Sequence, residues 1–284
     1  MRLSCLPVSF YPDLAAGRMT LADWFQTAAR LGLDGADVSV AHIVSRQPTD
    51  LRRLARQAEE AGVDVPMLAT YTDFTHPDPV YRAKQVDELR AWIEAADRLR
   101  VTFLRVTAGQ ARPHVEEPDG IGWAVDGLTA CLSEARDAGI RLLYENHTRG
   151  SIWQWNDFTH PAARFLDVVS RTRGTGLEVL FDTANNLVLG DDPALVLEAV
   201  IDRLGAVHLS DIARRGEYGP TVIGSGVAPL RPLVERIRSA GFDGWISVEE
   251  ASRTGEDGFR RAVEFADRVW VEAGGSPRKR SRHG

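Results

Sequence analysis

The chain has 284 residues, 44% of them apolar and 26% charged, with a formal net charge of -6. These values fit a soluble globular protein and exclude a general polyanion binder. The two cysteines, Cys5 and Cys131, form no CxxC pair. That argues against a disulfide framework or thiolate zinc site and makes a reducing cytosol the expected compartment.

In chain order, short apolar, β-branched runs alternate with longer amphipathic stretches. A strand is predicted over 3–10; this opening has no continuous apolar core, so it reads as a strand entering a loop rather than a signal peptide. Thr20 then precedes a helix whose Leu21, Trp24, Phe25, Ala28 and Leu31 share a face, with Gly32 as its stop. Strand 35–40 leads to helix 50–61, ended by Gly62. Strand 63–69 leads to helix 81–99, the longest amphipathic stretch. Strand 101–107 is followed by helix 123–138 and Gly139. Strand 140–145 is followed by helix 161–169, and strand 177–182 by helix 193–201. Pro161 and Pro193 stand where a first helical turn accepts proline. Strands 206–210 and 245–249 with helices 229–240 and 258–273 complete the set. No apolar run reaches the roughly 20 residues of a membrane helix.

Eight such runs, each followed by a helix, predict a single α/β domain, a (β/α)8 TIM barrel spanning 1–273. An open doubly wound sheet is the structural alternative, but no phosphate-binding GxGxxG follows the first strand. Residues 274–284, GGSPRKRSRHG, read as a solvated, disordered basic tail.

In such a barrel, chemistry belongs at the C-terminal ends of the strands. The fifth predicted strand ends in Glu145, the sixth in Asp182 and the eighth in Glu249, and the seventh carries His208. A carboxylate directly after four apolar strand residues is costly unless it is paired or metal-bound. One such residue can be a helix cap. Four strands in succession delivering Glu, Asp, His and Glu to one rim point to one divalent metal ion. Three carboxylates and an imidazole suit Mn²⁺, Mg²⁺ or Co²⁺, with Zn²⁺ also compatible.

The strings LYENH, FDTANN, VHLSD and GFDGWISVEE resemble the sugar phosphate isomerase/epimerase superfamily, the xylose-isomerase-like barrels. That group includes ketose 3-epimerases, hydroxypyruvate isomerases, inosose dehydratases, 3-dehydroshikimate dehydratases and endonuclease IV. The resemblance implies that Glu145, Asp182, His208 and Glu249 hold the metal, that Glu145 and Glu249 also move protons, and that Arg214 contacts substrate oxygen. It implies a metal-dependent isomerase or epimerase that removes a proton next to the carbonyl of a keto-sugar or related polyol, through an enediolate. The alternative is a lyase or dehydratase on a keto-inositol, dehydroshikimate-like or keto-glycoside substrate. Asn185 stands where many members have histidine, and Ser210 where many sugar-handling relatives have lysine. The acidic chain argues against the nuclease branch and nucleic acid.

Around the metal set, His147, Asn185 and Trp153 are the expected further substrate contacts. His147 shares a side with Glu145 if the strand continues; a plain loop histidine is the alternative. Trp153 and Trp155 can stack on a sugar ring or simply cover the barrel mouth. Arg105 is expected to pair with a barrel carboxylate, Asp37 to make an internal hydrogen bond, and Asp211 to orient its strand end or loop. A homo-oligomer is compatible with the superfamily.

Overall fold

The computed structural model describes residues 1–278. Eight strands, β1 (Arg2–Leu6), β2 (Val38–Ser39), β3 (Met67–Ala69), β4 (Phe103–Val106), β5 (Arg141–Glu145), β6 (Glu178–Asp182), β7 (Leu204–Leu209) and β8 (Trp245–Glu249), form one parallel sheet. Its order is β1-β8-β7-β6-β5-β4-β3-β2. The remaining seam is bridged by backbone bonds from Asp34 and Asp37 N–H to the carbonyls of Leu3 and Cys5, each 2.9 Å. The sheet is therefore a nearly closed TIM barrel, as expected.

Among the described residues, ten helices surround it: α1 (Tyr11–Ala15), α2 (Leu21–Arg30), α3 (Pro48–Ala61), α4 (Pro79–Leu99), α5 (Glu117–Thr129), α6 (Leu132–Asp137), α7 (Ala162–Arg171), α8 (Pro193–Val200), α9 (Leu230–Ser239) and α10 (Glu256–Glu272). The local signals behave as their chemistry requires. Thr20 and Asp23 form a reciprocal capping box at the start of α2. Gly62 closes α3 at φ +79°, a left-handed conformation that costs a residue without Cβ little.

Several of the expected bounds change. The single helix predicted over 123–138 is two, because the chain leaves helical geometry at Cys131 (φ −120°, ψ 15°), which is buried with its thiol toward the Val86 carbonyl of α4. The strand predicted over 3–10 stops at Leu6 and passes through a 3-10 turn into the short α1. The tail expected to begin at 274 is also shortened. Arg278, only 3% exposed, donates to Asp34 and Asp267 and to the Gly32 carbonyl; the rest of the tail expectation lies outside the described residues. Among the described residues, no helix is long and apolar enough to cross a membrane.

The barrel separates two packing regions. Met67, Phe103, Leu143, Leu180, Ala206 and Trp245 form a compact cluster of their own. Tyr144, Phe181, Val207 and Val248, their alternates along the strands, join the larger core shared with the helices. With a side-chain period of two, Glu145, Asp182 and His208 fall on the same side as Leu143, Leu180 and Ala206. The apolar interior thus ends in a polar upper layer. Packing against the outer shell is close: a Cβ on Gly127 of α5 would sit 2.2 Å from the buried Phe74 ring. Gly127→Ala is expected to cost about 1–3 kcal/mol by overpacking. A urea unfolding midpoint unchanged from the parent would show that Phe74 yields instead.

Candidate metal centre

The four strand-end residues converge. One ligand atom from each of Glu145, Asp182, His208 and Glu249 lies within 4.8 Å of the others. Glu145, Asp182 and His208 are fully buried, while the Glu249 side chain is 28% exposed. His208 Nδ1 sits 2.7 Å from Glu145 Oε1 and 3.0 Å from Glu249 Oε2. A proton on that nitrogen would bridge the two glutamates and stand in for a cation.

The carboxylates are held differently. Asp182 Oδ1 accepts from the Ala184 and Asn185 backbone N–H groups at 2.9 and 2.7 Å and from Ser210 Oγ at 2.9 Å. Its Oδ2 is buried without a partner, a costly state that a cation at the centre would relieve. Glu145 has both oxygens engaged: Oε1 with His208, and Oε2 with the buried Arg105 Nη1 at 2.8 Å. The buried set of one borderline nitrogen and several carboxylate oxygens fits a divalent ion.

The electrostatics follow from this crowding. Burial pushes Asp182 up to about 7, and the charges of Glu249 and Glu145 add to it. Burial alone would raise Glu145 too, but Arg105 and His208 outweigh it and hold its carboxyl well below the usual range. Burial alone would lower His208, but Glu145 and Glu249 raise it well above an ordinary imidazole. One layer below, Asp37 Oδ2 accepts from Ser4 Oγ at 2.8 Å and from Ser247 Oγ, and burial pushes its carboxyl up to about 6.

The expected substrate contacts separate. Asn185 lies at the rim of the centre, accepting from Thr148 Oγ1 at 2.5 Å. His147 is buried, with its ring edge-on to Trp153 at 5.5 Å and Nδ1 3.6 Å from Asp157. Trp153 is itself 6% exposed and packs on Tyr71, so most of its surface is spent on covering the mouth. Arg214 is not brought to the centre. Its side chain is 78% exposed and faces Glu217 at 3.4 Å, because residues 212–220 fold back as a hairpin through the Ile212–Pro220 bridge. Asp211 anchors that turn: its carboxylate accepts backbone N–H bonds from Ile212, Gly224, Gly226 and Ala228.

Several neighbours carry no sequence signal. Asn146 clamps the Asp182 backbone, accepting from its N–H at 2.7 Å and donating to its carbonyl at 2.9 Å. Above the centre opens a cavity of about 640 Å³ whose walls include Tyr11, Thr148, Tyr218 and Ser252. Each follows a different strand, which is where a barrel places its binding loops.

A sequence model of the xylose isomerase-like TIM barrel family matches residues 25–269. An inosose dehydratase of Lacticaseibacillus casei is 24% identical over 156 residues, covering 49% of each chain, so this chain matches about half the length of that relative. A putative hydroxypyruvate isomerase of Streptomyces coelicolor is 28% identical over 260 residues, covering 87% of this chain and 88% of its own. Among solved structures, the IOLI protein with a bound zinc atom superposes with a TM-score of 0.79 at 15% identity, over 96% of this chain and 99% of that one. The match spans the strands that bear all four converging residues, in accord with the resemblance read from LYENH, FDTANN and VHLSD, and the chain belongs to the xylose isomerase-like TIM barrel family.

Proposed function

We propose that this chain is a divalent-metal-dependent isomerase or epimerase that removes a proton next to the carbonyl of a keto-sugar or related polyol. The observation that carries the reading is the convergence of Glu145, Asp182, His208 and Glu249 within 4.8 Å at the ends of four adjacent strands. These four residues would hold Mn²⁺, Mg²⁺ or Co²⁺, with Zn²⁺ compatible. A bound ion supplies Lewis-acid stabilisation of the negative charge that develops on substrate oxygen.

The two glutamates divide the remaining work. Glu145 is fixed through both oxygens and strongly acidic, so it serves as an anchor and makes a weak base. Glu249 is the partly exposed member, with one oxygen toward His208 and the other without a hydrogen bond among the described residues. It is the side chain fitted to take a proton from a substrate in the cavity above. Asp37, out of reach below, is a structural acceptor. Trp153 packs beside His147 and Tyr71, Asn185 lies beside Asp182 and Thr148, and Arg214 reaches substrate only if the 212–220 hairpin turns inward.

A single mobile base returns a proton on the face from which it took it. That favours a shift between adjacent carbons, as in aldose–ketose isomerisation, over inversion at one carbon by two opposed bases. The alignment with hydroxypyruvate isomerase along most of both chains supports this branch. Loss of a β-hydroxyl after the same first step is the second reading, supported by the inosose dehydratase match. The domain would act in the cytoplasm, alone or as a homo-oligomer, without nucleic acid or membrane.

The test is incubation of the Mn²⁺-loaded protein with keto-sugars, keto-acids and keto-inositols in D₂O. Metal-dependent exchange of one substrate C–H is expected, with part of the original hydrogen carried into an isomerised product. No exchange with any of them would end the enzymatic reading.

A further inference from the structure

The cavity above the metal centre has an uneven charge. Arg149, after β5, and Arg253, after β8, both line it, and no Asp or Glu does. Neither arginine forms an ion pair among the described residues. Arg149 makes only long bonds of 3.3 and 3.2 Å to the Trp153 carbonyl. Arg253 sits in left-handed backbone (φ 59°), where its N–H is held by Ser9 Oγ at 2.8 Å, and its guanidinium has no hydrogen-bond partner among the described residues.

The segments that carry these arginines follow directly on β5 and β8, the strands that bear Glu145 and Glu249, although none of the four converging residues lines the cavity itself. Tyr218 stands in the cavity wall with both arginines. Burial raises its phenol, the charges of Glu249 and Asp182 raise it further, and Arg253 and Arg149 pull it back. Tyr218, although 61% exposed, thus lies within electrostatic reach of both the centre and the two arginines. At the metal centre, a dication and Arg105 would offset the three carboxylates. In the cavity, no carboxylate among the described residues offsets the two guanidinium groups. A cavity of about 640 Å³ is within the usual range for a small-molecule site.

We propose that Arg149 and Arg253 form an anion subsite, so that the substrate is a keto-polyol bearing a carboxylate or phosphate away from its reacting carbonyl. Guanidinium groups match both anions with paired N–H donors. The inference rests on the reading of the metal centre given above. It selects acidic substrates over the neutral sugars and inositols that the same centre would otherwise accept.

The test uses three unreactive probes on one carbon skeleton: arabinitol, arabinonate and arabinitol 5-phosphate. Each is titrated calorimetrically into the Mn²⁺-loaded protein, and Mn²⁺ itself is titrated separately. At least one acidic probe is expected to bind roughly tenfold or more tighter than arabinitol, about 1.4 kcal/mol. The preference should shrink in about 0.5 M salt, which screens exposed charges. It should vanish in the Arg149→Gln/Arg253→Gln variant and halve in logarithmic terms in each single variant, with Mn²⁺ affinity unchanged. Which probe gains identifies carboxylate or phosphate. Equal binding of all three, a preference that survives the double variant, or no binding by any probe would overturn the subsite. Failure of the metal centre would appear separately, as no Mn²⁺ binding.

Discussion

Glu249→Gln is expected to lower turnover by roughly three orders of magnitude while leaving the fold intact. A positioned base is worth about 10²- to 10⁴-fold, and Glu249 is the partly exposed carboxylate of the cluster, whereas the unpartnered Asp182 Oδ2 is buried. Its side chain is 28% exposed, and its charge is a leading cause of the raised Asp182 carboxyl. Removing that charge relieves repulsion on Asp182 but weakens the contact to His208, so the melting temperature should change little. Glu145→Gln is expected to behave differently although the side-chain change is the same. Arg105, 3% exposed, has Glu145 as its ion-pair partner. Unpairing a buried charge costs about 3–5 kcal/mol, or roughly 10 °C in a domain of this size. Paired measurements of kcat and thermal midpoint separate the two roles. Near-normal turnover in Glu249→Gln would refute the base assignment, and an undisturbed melting temperature in Glu145→Gln would refute the anchor.

That contrast marks where the sequence stopped being informative. Each of the four converging residues could be read from the chain because it breaks an apolar strand run at a fixed place, and the barrel brings strand ends together whatever the loops do. Arg105 could be read as a partner for the same reason: a cation inside a strand must meet an anion. The loops obey no such period. Six residues separate His208 from Arg214, but the hairpin closed by Ile212 and Pro220 turns the arginine outward. Tyr11, Tyr218, Arg149 and Arg253 come together across four separate loops, a proximity that no spacing encodes. The division between Glu145 and Glu249 was equally hidden, since it depends on which oxygen Arg105 occupies.

Loading the centre with Mn²⁺ is expected to expel about two protons near pH 6 and to stabilise the fold increasingly as pH rises. A cation needs its carboxylates ionised and its imidazole neutral. Without one, Asp182 holds a proton up to about pH 7, and His208 holds one to well above its ordinary value. The sign for Asp182 follows from its folded pKa lying above the unfolded one. The folded state binds the proton more tightly between about pH 4 and 7, so the metal-free fold loses stability from this group as pH rises through that window. Glu145 runs the other way: its contribution is present above the ordinary carboxylate range and fades in acid. Metal binding removes the Asp182 penalty by giving its unpartnered Oδ2 a counter-charge. At a free Mn²⁺ concentration near 100 times Kd, the gain is about 2.7 kcal/mol, or roughly 5–10 °C. Calorimetry in buffers of different ionisation enthalpy counts the protons, and melting curves with Mn²⁺ or EDTA between pH 5.5 and 8 read the stability. Proton release near zero at pH 6 would mean that the cluster is already ionised without a cation. The bridging proton between His208 and the two glutamates would then be wrong, even if the ion still binds.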